Sequence, residues 1–153
     1  MTHNSPSRRA ALILIAGAAL PAAATRAAEQ PSITVHKDPN CGCCSGWVQH
    51  LRKAGFTVQA VDTAELDAVK TRLGVPGDLA ACHTAQVAGY IVEGHVPAAA
   101  LKRFLAEKPS AAGLAVPGMP VGSPGMESPG QPPARYQVLT FDRSGRTAVF
   151  ATR

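Results

Sequence analysis

Hydrophobic and polar positions follow two periods along this chain, and the switches between them mark its elements. Residues 33–37 (ITVHK) alternate and are rich in β-branched side chains, which predicts a strand. Asp38-Pro39-Asn40 breaks it. From about residue 44 to residue 54 the apolar positions Trp47, Val48 and Leu51 recur at helical spacing, with Gly55 as the stop. Residues 56–61 (FTVQAV) read as a second strand. Thr63 is placed to cap a second helix, whose period is marked by Leu66, Val69 and Leu73 and which Gly74 and Pro76 end. A third strand is expected over residues 86–92. A third helix follows over 97–107, with Pro97 in its first turn and Ala100, Leu101, Phe104 and Leu105 facing inward. Residues 109–135 hold 12 Gly or Pro in 27, which predicts a long loop with neither helix nor strand. Residues 136–141 and 147–151 then form a hairpin about Asp142-Arg143-Ser144-Gly145. The order β-α-β-α-β-α-loop-β-β predicts one α/β sandwich with a mixed sheet and no internal repeat.

One apolar stretch fits neither a strand nor an amphipathic helix. Residues 10–20 form an 11-residue run behind Arg8-Arg9, followed by Pro21 and a string of alanines. It is too short to span a bilayer, and Thr25-Arg26-Ala27 offers small residues where a signal peptidase reads. Residues 1–27 are therefore expected to be an export signal cleaved after Ala27, with Ala24 as second choice. The paired arginines hint at the twin-arginine route, although Ala10-Ala11-Leu12 fits that signal loosely. Residues 28–153 remain as a single mature domain, periplasmic and without a membrane span. Arg8, Arg9 and Arg26 leave with the signal, so 12 basic residues face 10 acidic ones and the net charge of +5 drops to +2. No Lys/Arg cluster survives that could track a phosphate backbone, which argues against nucleic-acid binding.

All four cysteines lie in the mature part. Cys41 and Cys44 stand in a C-x-x-C relation between a strand and a helix, where thioredoxin-like proteins keep a redox pair. Free backbone N–H groups and the helix dipole stabilise a thiolate there. Cys43 turns the motif into C-x-C-C. A dithiol oxidoreductase needs one nucleophile and one resolving thiol, and a third adjacent thiol scrambles that chemistry. For soft metal it is an advantage, because each added thiolate tightens binding of Cu(I) or zinc. Cys82-His83 is the second group. Thioredoxin and glutaredoxin carry a cis-proline in the corresponding place, against the active-site sulfurs, whereas this chain has no proline between Asp78 and Gly94. Cys82 and His83 are expected to fill that space with donors. His95 is a further candidate ligand, while His36 and His50 are read as ordinary strand and helix residues. Met119 and Met126 both sit in the Gly/Pro-rich loop, an unusual place for core-filling methionine, and thioether ligands favour Cu(I) over zinc.

From Ile33 to Arg153 the sequence resembles the CopG-like family of exported copper-resistance proteins. The matching runs are Asn40-Cys41-Gly42-Cys43-Cys44, Cys82-His83-Thr84, Gly89-Tyr90, Glu93-Gly94-His95-Val96-Pro97, and Gly113 through Pro120 and on to Glu127. The resemblance implies a thioredoxin-like fold, a periplasmic location and Cu(I) clustered on the C-x-C-C loop, and it raises a copper redox role beside storage. Four thiols in one place exceed what a single Cu(I) needs, so more than one ion is expected. Two functions are thus expected in competition. The first is a copper-binding protein that sequesters or relays Cu(I) through Cys41, Cys43, Cys44, Cys82, His83, His95, Met119 and Met126, exchanging it with other periplasmic copper-handling proteins, with zinc as the second-choice ion. The alternative is a thiol-disulfide or copper oxidoreductase using Cys41 and Cys44.

Overall fold

A computed structural model describes Met1 and residues 30–153 of the chain; the expected signal, residues 1–27, thus lies outside the described residues apart from Met1. Seven strands form one mixed sheet in the order β2-β1-β3-β4-β5-β6-β7. They are β1 (Ile33–Lys37), β2 (Val58–Asp62), β3 (His83–Val87), β4 (Tyr90–Gly94), β5 (Gly113–Val116), β6 (Gln137–Phe141) and β7 (Thr147–Thr152). Three helices connect them: α1 (Gly42–Lys53), α2 (Leu66–Leu73) and α3 (Ala98–Glu107). The parallel pairs β1–β2 and β4–β5 are each bridged by a helix, α1 and α3, as a parallel connection requires.

The expected α/β architecture with a mixed sheet is what the chain adopts, and three local expectations need correction. The strand expected over 86–92 is a tight hairpin: β3 and β4 pair antiparallel about Ala88 and Gly89, both at positive φ. The apolar run through this turn hides the reversal, because both strands are buried. The loop expected over 109–135 is shorter, since Gly113–Val116 forms β5, fully buried between β4 and β6. A strand covered on both faces needs no alternation, so its four residues were masked by the Gly and Pro around them. Thr63 does not cap α2. The cap position is Glu65, and the Thr63 hydroxyl accepts from the Glu65 amide at 3.0 Å, a turn that precedes the helix.

The main core lies between the sheet and the pair α1 and α3. Trp47, Val48 and Leu51 of α1 and Leu101 and Phe104 of α3 meet Val35, Ala85, Val92, Leu114 and Val138 there. On the opposite face a smaller cluster joins Leu79, Ile91, Ala115 and Phe141. Along β4 the residues alternate between the two faces, Ile91 to one cluster and Val92 to the other, as the pleat dictates. The C-terminal hairpin β6–β7 pairs as expected, with a register shift between Val138 and Leu139.

Candidate metal centre

The strand directions collect four chain segments at one end of the sheet. The last residue of β1, Lys37, pairs with the first of β3, His83; the last of β4, Gly94, pairs with the last of β5, Val116. The cysteine loop after β1, the Cys82-His83 step into β3, His95 after β4 and the Gly/Pro-rich loop after β5 therefore emerge together. Helix α1 begins there, with Cys41 as its cap residue accepting the Cys44 amide through Sγ at 3.3 Å. Sulfur replaces the usual cap oxygen, which is why the helix starts at Gly42 and not at the expected residue 44.

Cys41 and Cys44 are joined as a disulfide, and Cys43 and Cys82 are free. Cys43 Sγ lies 3.5 Å from Cys41 Sγ and 3.7 Å from Cys82 Sγ. Cys44 Sγ is 3.4 Å from the Cys82 carbonyl oxygen, so the Cys82 segment closes over the cysteine loop from the side. The four sulfurs all lie within 4.8 Å of one another. A second group overlaps the first: Cys82, His83 and His95 also offer donor atoms within 4.8 Å of one another. Cys82 thus belongs to both. Once the Cys41–Cys44 bond is reduced, an all-sulfur group merging into a sulfur–imidazole group suits soft and borderline ions such as Cu(I) and zinc.

Both imidazoles are fully buried. The Pro124 carbonyl oxygen stands 2.8 Å from His95 Nδ1, so that nitrogen carries the proton, and Nε2 presents its lone pair 3.1 Å from Cys82 Sγ. A backbone carbonyl on the far nitrogen is how proteins orient ligating histidines. His83 Nδ1 lies 3.3 Å from the same sulfur, while its Nε2 is buried with no hydrogen-bond partner among the described residues. His83 is held between the Trp47 ring, 4.4 Å away, and the His95 ring, which meets it edge-on at 4.8 Å. Helix α1 also fixes the segment carrying His95: Trp47 Nε1 donates to the Val96 carbonyl at 2.8 Å, and His50 Nε2 accepts the Ala98 amide at 3.0 Å. His50 is thus a cap for α3, consistent with reading it as no ligand. His36 lies within β1, as expected.

Burial sets the charges. It pushes the Cys82 thiol up to about 12, with the neighbouring Cys43 adding to the effect. Burial also pushes His83 down to about 3, helped by His95 and Lys70, and lowers His95. The metal-free pocket at neutral pH therefore holds neutral imidazoles and a protonated Cys82. An incoming cation must displace that thiol proton.

The expected ligands divide into two groups. Cys41, Cys43, Cys44, Cys82, His83 and His95 converge on one place. The methionines lie on the loop that follows β5: Met119 is 41% exposed at positive φ, and Met126 is half-buried in the turn that follows Ser123. That turn does reach the centre through its backbone. Gly125 packs so closely on α1 that a Cβ there would meet the Cys43 carbonyl oxygen at 2.5 Å and the Trp47 nitrogen at 2.7 Å. The sequence reading also missed a buried polar group beneath Cys82, in which Glu93 accepts from Lys70, Thr84 and the Ala81 amide.

Solved structures named Copper resistance protein copG, in Form 1 and Form 2, are each 50% identical to this chain with a TM-score of 0.76. They cover 82% of it, and the match takes in 98% and 99% of their own chains. The chain belongs to the CopG copper-resistance family. The family model described as Protein of unknown function, DUF411, matches residues 79–126, which run from the turn before Cys82 through His95 to Met126. No match is found among curated protein sequences. Among the described residues, no helix of this CopG-family chain is long and apolar enough to cross a membrane.

Proposed function

We propose that the protein is an exported, periplasmic copper-binding protein that sequesters or relays Cu(I) and contributes to copper resistance. The observation that carries this reading is the convergence of four sulfurs and two neutral imidazoles, with Cys82 shared between the two donor groups. Four sulfurs exceed what one Cu(I) needs, and bridging thiolates assemble clusters, so more than one ion per chain is expected. Met119 and Met126, on the Gly/Pro-rich loop, are assigned as further thioether donors beside Cys41, Cys43, Cys44, Cys82, His83 and His95. The order β2-β1-β3-β4 with its β1-α1-β2 crossover supports a thioredoxin-like core as the scaffold. Copper is delivered to and taken from other copper-handling proteins of the same compartment.

One experiment tests location and cargo together. Protein recovered from the periplasmic fraction of copper-supplemented cells is sequenced from its N-terminus, analysed for metal, and titrated under reducing conditions with Cu(I) against Zn(II). A mature chain beginning at Ala28 with several copper ions, held more tightly than zinc, is expected. Intact Met1 protein confined to the cytoplasm would remove the export reading. A single tetrahedral Zn(II) with copper excluded would remove the copper reading.

A second reading has its own observation. Cys41 and Cys44 are joined at the N-terminus of α1, the placement that activates a redox cysteine. A thiol-disulfide or copper oxidoreductase using that pair is the alternative function.

A further inference from the structure

The copper reading leaves a buried ion pair, Lys70 with Glu93, unused. Lys70 of α2 is 7% exposed, and Glu93 of β4 and Thr84 of β3 are fully buried. Lys70 Nζ donates to Glu93 Oε1 at 2.5 Å and to Thr84 Oγ1 at 2.7 Å, and the Thr84 hydroxyl donates to Glu93 Oε2 at 2.6 Å. The Ala81 amide donates to Glu93 Oε1 at 2.6 Å. Stability alone does not account for such a pair, because desolvation offsets much of its attraction and apolar replacements of similar volume are often neutral or better.

What the carboxylate does that an apolar side chain cannot is fix two backbone segments at once. Ala81 and Thr84 bracket the Cys82-His83 step on either side. Glu93 itself stands two residues before His95. Ala81 is further pressed against the end of β4, where a Cβ on Gly94 would come within 2.9 Å of Ala81 Cβ. We infer that Glu93, oriented by Lys70 and Thr84, is a positioning residue that sets the Cys82 sulfur against Cys43 on one side and His95 on the other. It acts from the opposite face of the sheet, since Thr84 and Glu93 alternate with the core residues Ala85 and Val92 that face α1 and α3. Outer-shell partners of this kind typically change metal affinity about 10–100-fold when removed. The inference rests on the copper-binding reading for its consequence, though not for its geometry.

Two neutral replacements separate positioning from charge. K70M/E93Q keeps a carbonyl that accepts the Ala81 amide; K70M/E93L removes it. Cu(I) affinity is measured on reduced protein by competition with a chromophoric chelator. In parallel, the oxidised metal-free protein, in which Cys43 and Cys82 are the free thiols, is alkylated, and the Cys82 to Cys43 labelling ratio is read by peptide mass spectrometry. K70M/E93L is expected to lose about 10-fold or more in Cu(I) affinity and to raise the labelling ratio several-fold, while K70M/E93Q stays close to wild type. T84V, which deletes one hydroxyl, is expected to move both readouts the same way to a smaller extent and serves if K70M/E93L does not fold. A group that merely stabilises the fold would lower the melting temperature and leave the labelling ratio of every folded variant unchanged, which would overturn the inference. Wild-type protein that binds no Cu(I) would refute the copper reading alone, because the labelling ratio needs no metal.

Discussion

Two uncharged imidazoles stand behind Cys82, and their protonation has a direction that can be measured. Burial, chiefly, holds His83 at about 3, whereas an unfolded histidine titrates near 6.5. Between those values the unfolded chain binds a proton that the folded chain refuses, so folding stability falls as pH drops below about 6.5. The slope is at most about 1.4 kcal/mol per pH unit for one such group. In metal-free protein, replacing His83 by Phe fills the stack on Trp47 and removes this titration. Urea unfolding at pH 7 and pH 5 should show wild type losing on the order of 2 kcal/mol more than H83F between the two. Equal losses would show that His83 is protonated in the folded state. At this scale much of the centre was legible in the sequence. Soft donors side by side at Cys82-His83, with no proline before them, announced a site facing the C-x-C-C loop, and Cys82 Sγ does lie 3.7 Å from Cys43. Glu93 and Lys70 were not legible, because charged residues are read as solvated unless a partner is known. The one signal was local: Glu93 sits in Ile91-Val92-Glu93-Gly94, where a strand buried on both faces leaves a charge no way out.

Between elements, the Gly/Pro-rich loop is a clamp on α1. Gly46 and Gly125 meet so closely that a Cβ on Gly46 would lie 3.0 Å from Gly125 Cα. The loop thereby brings the Pro124 carbonyl to His95 Nδ1 and fixes the tautomer of that ring. Gly125 has φ +88 and backbone on both sides, whereas Gly118, at φ +77, has nothing within 4 Å of an added Cβ. Both G125A and G118A carry the strain of a side chain at positive φ, about 1 kcal/mol. G125A alone must also push the loop off the helix. Thermal unfolding should therefore place G125A well below G118A, by about 4 °C for each further kcal/mol. Equal melting temperatures would mean that the loop yields without cost. The same segment shows why element boundaries were only partly legible. Period and punctuation located β1, α1, β2, α3 and the final hairpin, but they failed where burial on both faces abolished alternation. Gly113–Val116 became β5 inside a stretch that composition marked as loop, and the Ala88-Gly89 turn reversed the chain inside one apolar run.

For the molecule as a whole, the question is whether the sheet end serves metal or disulfide exchange, and the two uses make opposite demands on Cys43 and Cys82. Disulfide chemistry needs Cys41 and Cys44 alone, already joined at the helix N-terminus. A copper cluster needs both to be reduced and needs the other two sulfurs as bridges, since Cys43 stands 3.5 Å from Cys41 and 3.7 Å from Cys82. A serine hydroxyl is a poor ligand for soft Cu(I), so C43S opens the cluster at its centre. C82S cuts the link between the sulfur group and the two imidazoles. Neither change touches the Cys41–Cys44 pair. Each variant is assayed for Cu(I) affinity by chelator competition and for reduction of a protein disulfide. Both should lose Cu(I) affinity by at least about 10-fold while keeping whatever dithiol activity the wild type has. Unchanged copper affinity in both variants would mean that the sulfurs do not act as one cluster, and the Cys41/Cys44 redox reading would then take its place.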